Sequence, residues 1–169
     1  MINKILLMPI NITKMNDNDL LRLFHNVIEH LDKGKKVDEA TSMLKKIEDE
    51  WKNRLENYLF GDEKSTRPEQ GMLKTIGYKV GNDGLKYTKR RLILDRLILG
   101  ILPFCGSPSY MAEWGYPKTK KRYRKLRDVL NQLIFKNKRF PEMEVAVGDW
   151  TEDLDYIKQK WHQVIFRLN

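Results

Sequence analysis

The chain is expected to be all-α: a helical bundle of five to seven helices with an N-terminal helical hairpin. Two patterns say so. Apolar residues return every three or four positions along most of the 169 residues, the repeat of a helix face and not the alternation of a half-buried strand. Gly, Pro and short polar runs separate these stretches at spacings that leave helices of ordinary length. Only 78–86 departs from the pattern. There Gly77, Gly81 and Gly84 punctuate Tyr78-Lys79-Val80 and Asn82-Asp83, a turn with room for one very small β-hairpin.

Residues 1–14 read as an appended arm or a short strand. Their apolar run is broken by Pro9 and Asn11 and lacks an Ala-x-Ala-like cleavage site, which argues against a signal peptide. The first helix opens at Asn16 or Asp17, with Asp19 in its first turn, and stops at Gly34. Leu20, Leu23, Phe24, Val27 and Leu31 form its apolar face. The second runs from about Asp38 to Gly61 behind a stripe of Ala40, Leu44, Ile47, Trp51, Leu55 and Tyr58. The short link between them predicts an antiparallel hairpin.

After a polar connector at 62–70, Pro68 suits the first position of a short helix ending near Gly77. Thr88 is placed to cap the next helix, whose run through Leu92, Leu97 and Leu102 is apolar nearly all round and marks the buried centre. Pro103 and Gly106 end it, and Ser107-Pro108 opens a one- or two-turn helix through Trp114, closed by Gly115. A basic helix over 119–138 follows, with Tyr123, Leu126, Leu130, Leu133 and Ile134 on its inner side. The last helix, 141–168, carries Met143, Val147, Trp150, Leu154, Ile157, Trp161, Val164 and Leu168, an unbroken seven-residue repeat that passes Gly148. The organisation expected is an arm and hairpin over 1–61 and a bundle over 62–169. The last stripe suits packing inside one bundle, making a monomer the expectation, with a homodimer seam as the other use of the same face.

The charge is concentrated. Of the net +9, residues 86–139 supply 15 basic against 3 acidic side chains, residues 1–85 balance, and residues 140–169 sum to −3. A localised positive field favours an anionic partner more than the same charge spread evenly. Its densest part is Lys118-Thr-Lys-Lys-Arg-Tyr-Arg-Lys-Leu-Arg127, at the start of a helix. Helix starts carry partial positive charge and ordinarily gather Asp and Glu, so stacked cations there make sense if an anion docks. The expected nucleic-acid contacts are Lys118, Lys120, Lys121, Arg122, Arg124, Lys125 and Arg127, extended by Arg90 and Arg91. The segment 114–127 resembles the logic of a helix-turn-helix: a short helix, a Gly-containing turn, a basic second helix. Tyr110, Trp114, Tyr116 and Tyr123 interleave the run; core packing is their favoured role, and stacking on unpaired bases the other. The acidic last segment is able to mask the patch by pairing with it.

Little suggests catalysis or a cofactor. His25, His30 and His162 show no metal-ligand spacing, and Cys105 has no identifiable catalytic partner. The glycines of 77–84 match no phosphate-binding fingerprint. The acidic clusters Glu48-Asp49-Glu50 and Asp149 to Asp155 read as exposed helix faces before they read as two-metal sites. One cysteine and no run of about 18 apolar residues fit a cytoplasmic protein without a membrane span. The reading is a non-catalytic nucleic-acid-binding protein, DNA and RNA both fitting. The rival is a protein–protein interaction or inhibitor module acting through the helical surfaces.

Overall fold

A computed structural model describes residues 11–59, 71–105 and 107–167. Residues 1–10 of the expected arm (1–14), the connector at 62–70, Gly61, Gly106 and Leu168 lie outside the described residues. Those described form seven α-helices, with short 3-10 turns at Ile12–Lys14 and Pro141–Met143, and contain no strand. The helices are α1 (Asp17–Asp32), α2 (Val37–Leu59), α3 (Met72–Thr75), α4 (Tyr87–Leu99), α5 (Pro108–Trp114), α6 (Lys120–Asn137) and α7 (Glu144–Arg167).

Local chemistry accounts for most boundaries. The Asn16 side chain accepts from the Asp19 N–H and starts α1; Ser107 and Thr119 do the same for α5 and α6 through the Tyr110 and Arg122 N–H groups. α4 differs from expectation at both ends. It begins one residue before Thr88, with Lys86 in the cap position and no side-chain cap, and ends at Leu99. Gly100 follows it in extended backbone, and α2 lies close there: a Cβ would fall 2.4 Å from a Glu48 carboxylate oxygen. α7 runs through Gly148 without a break.

One hydrophobic core joins the elements. α1 and α2 pair as a hairpin, and α1 also packs on α4, which lies against both α6 and α7. Leu94, Leu97 and Ile98 of α4 are fully buried. The stripe of α7 drifts, however. Trp150, Leu154, Ile157 and Trp161 are buried, but near its C-terminus Ile165 is inside and Val164 is 43 % exposed. A strict seven-residue repeat slips about 20° per heptad on a straight helix, so the neighbouring position takes over.

The hairpin expected near 78–86 is absent, for an identifiable reason. Only a turn forms there, with the Gly84 N–H donating to Gly81 O and the Leu85 N–H to Lys79 O. The Gly81 N–H instead donates to Asp149 Oδ2 (2.9 Å), and the Tyr78 hydroxyl to Asp153 Oδ2 (2.6 Å). A carboxylate of α7 thus takes the Gly81 N–H, a backbone donor that a second strand would have satisfied.

Candidate functional site

α6 presents its charged N-terminus beside the C-terminal ends of α4 and α5. Between α5 and α6 the chain turns through Gly115 (φ 71°) and Lys118 (φ 60°), and the Lys118 N–H donates to Ile98 O. Left-handed backbone is natural for Gly115. For Lys118 it costs about 1–2 kcal/mol relative to a glycine.

Arg122 lies inside and not on the surface, only 3 % exposed. Its Nη1 donates to Leu97 O (2.8 Å) and Gly100 O (3.3 Å), its Nε to Trp114 O (3.0 Å) and Gly115 O (3.1 Å), and its Nη2 to Gly115 O (2.5 Å). These carbonyls belong to the last turns of α4 and α5, where no further N–H arrives from within the helix and the dipole is negative. One guanidinium therefore caps two helices. Burial pulls its pKa down to about 10, which leaves it charged at neutral pH. Buried on these carbonyls, it is removed from the expected contacts.

The rest of the run stays at the surface in three conditions. Lys118, Lys121 and Arg124 are exposed and Lys120 is half-buried. None of these four lies within ion-pair distance of a carboxylate among the described residues. Lys120 and Arg124 rest over the Phe166 ring, 5.4 and 5.6 Å from its centroid, on an aromatic shelf where His162 stacks on Phe166 and both meet Tyr123 edge-on. The shelf holds these two cations without neutralising them. Lys125 is paired with Glu113 (2.5 Å) and Arg127 with Asp128 (3.0 Å).

Arg90 and Arg91 belong elsewhere. They sit near the N-terminal end of α4, whereas the α6 run meets its C-terminal end. Arg90 is 4 % exposed and joined to Asp153 (2.7 Å), Asp149 (3.0 Å) and Glu152 (3.6 Å). Burial pushes the Tyr78 hydroxyl and the Asp153 carboxyl in this cluster up. Arg91 is stacked between the Tyr87 and Tyr156 rings at 5.0 and 4.8 Å, in a surface cleft it shares with Glu152, Asp155 and Gln159. Arg90 thus serves the fold, and Arg91 stands apart from the α6 row.

The same pairings place the acidic segment. Its carboxylates Asp149, Glu152 and Asp153 face Arg90, and none of the ion pairs among the described residues joins α7 to α6. The acids do not mask the run. They are also not grouped as a metal site: no cluster of three or more His, Cys, Asp or Glu suited to a cation occurs among the described residues.

The interleaved aromatics divide in the same way. Trp114 and Tyr123 are buried, and the Tyr110 hydroxyl accepts from the Met72 N–H (3.0 Å). Tyr116 alone projects, 81 % exposed. Phe135, which is not among the expected contacts, is 71 % exposed near the other end of α6. Its signal was available, since Phe135 falls on the same helical face as Arg124. No protein-family model matches the chain, and neither a curated protein nor a solved structure shows significant similarity to it. No described helix is long and apolar enough to cross a membrane.

Proposed function

We propose that the protein binds nucleic acid without catalysing a reaction on it, holding phosphates at the start of α6. The observation that carries this reading is the row Lys118, Lys120, Lys121 and Arg124, four cations gathered at a helix N-terminus with no carboxylate partner among the described residues. A helix start repels such a group, and salt bridges that would offset the repulsion are missing. A polyanion would supply the missing charge and release its own counterions in doing so. The first N–H groups of α6, at Lys120 and Lys121, point the same way and add hydrogen-bond donors. Lys125 and Arg127 lie next in line and would exchange Glu113 and Asp128 for phosphate. One cysteine and this partner class fit the cytoplasm.

The test reverses charge at Lys121, Arg124 and Lys125. The triple Glu variant should retain its helical circular dichroism and thermal midpoint, because all three side chains lie at the surface. It should lose retention of labelled DNA and RNA by more than about tenfold, as expected when several phosphate contacts turn repulsive. Retention equal to wild type would remove the proposal. Binding of a protein partner through an apolar face would show almost no response to salt, which separates the rival reading.

A further inference from the structure

We infer that the outer face of α6 takes an unpaired nucleic-acid strand, with bases stacked on Tyr116 and Phe135 and phosphates along the cations between them. This rests on the nucleic-acid reading above and narrows it to single strands. Tyr116 and Phe135 are the two most exposed large hydrophobic side chains among the described residues, at 81 % and 71 %. A lone exposed ring is ordinary. Here the two most exposed rings bracket one row of cations, at the two ends of the same helix.

From Lys121 to Phe135 the exposed face of α6 is continuous, and Tyr116 stands in the turn before it. At about 100° per residue, Lys121, Arg124, Asp128, Asn131, Gln132 and Phe135 fall within about a third of the helix circumference, and all six are exposed. Asp128, the acid of this strip, is held by Arg127. Near Phe135 the chemistry repeats on a smaller scale. Lys138 lies 5.0 Å from the Phe135 ring centroid and Arg139 4.9 Å from that of Phe140. In each pair a cation lies over one face of an exposed ring, so a stacking surface and a phosphate-binding charge occur together. Lys136, Lys138 and Arg139 are exposed and have no carboxylate partner among the described residues.

A duplex fits this face less well. Its bases are already stacked, so a ring reaches them only by prying a step apart, and phenylalanine has no polar atom with which to read a groove edge. A lipid surface fits less well too. A helix lying in a membrane interface presents an unbroken apolar face, whereas amides and charges separate these rings. An unpaired strand uses both parts of the pattern, since every base has a face to stack and every nucleotide a charge to neutralise.

Fluorescence anisotropy with the full chain tests this, using labelled oligothymidylate, the same strand annealed to its complement, and vesicles containing phosphatidylserine. The strand should bind more tightly than the duplex. Tyr116→Ala and Phe135→Ala should each weaken strand binding by about tenfold, with the salt slope unchanged because phosphate contacts are kept, and Phe135→Trp should restore it. Equal binding of strand and duplex, with the Tyr116→Ala/Phe135→Ala variant at wild-type affinity, would overturn the single-strand assignment and leave phosphate binding intact. Binding of neither nucleic acid, with or without ring-dependent vesicle binding, would overturn both.

Discussion

Arg122 and Lys121 are neighbours of the same charge with opposite tasks, and the difference is geometric. Arg122 shares its helix side with Leu126, Leu130 and Leu133, three of the residues that face the core. Its spacing therefore placed it inside; only its charge suggested the surface. The same holds for Arg90, which is four and seven residues before Leu94 and Leu97, and for Asp153, between Trp150 and Ile157. A charged residue on an apolar stripe is better read as a buried ion with dedicated partners than as an exception to the stripe. The prediction at this scale concerns stability. Arg122→Met leaves the last carbonyls of α4 and α5 without donors and should cost about 3 kcal/mol or more, read as a lower urea midpoint. Arg122→Lys should recover only part of this, because an ammonium cannot reproduce the planar fork that reaches four carbonyls. Lys121→Glu, by contrast, should change stability by less than about 0.5 kcal/mol.

Helices were legible where their faces repeat and their caps are local. The Asn16, Ser107 and Thr119 caps and the faces of α1 and α6 follow from neighbouring residues alone. The end of α4 does not. At its closing Gly100, Glu48 of α2 lies alongside and Arg122 of α6 donates to its carbonyl, and both contacts are distant in sequence. The missing hairpin at 78–86 has the same origin, since Asp149 and Asp153 of α7 decide where its polar groups bond. Another long-range contact, between the hairpin and α4, carries a pH signature. Glu29 of α1 is bonded to Lys33 (2.7 Å) and to Lys89 of α4, and these ammonium groups hold its carboxyl down from the usual 4.5 to about 2. The folded pKa is the lower one, so the contribution is complete above about 4.5 and disappears as pH falls toward about 2. Glu29 is 40 % exposed on its side chain, so solvent screening limits the effect to about 1 kcal/mol or less. The urea midpoints of wild type and Glu29→Gln should differ near pH 6 and converge near pH 2.

Across the whole molecule, positive and negative charge are sorted by position. Asp149, Glu152 and Asp153 of α7 face Arg90 at one end of α4, Asp95 accepts from Lys160 and Trp161 further along, and the α6 row is left without such partners among the described residues. The overall sum of +9 reveals none of this sorting. The excess of basic residues in 86–139 was visible in the sequence, but which cations remain outside depended on the packing of α4, α6 and α7. Salt dependence measures that sorting. For wild-type protein on a single strand, the four contacts from Lys118, Lys120, Lys121 and Arg124 alone predict a slope of log K against log salt of about −3, at roughly −0.7 per phosphate, and each further cation that engages steepens it. Lys121→Glu/Arg124→Glu should flatten that slope by more than about one. Absence of binding at low salt, or binding whose slope is near zero, would contradict the assignment of these cations to a polyanion.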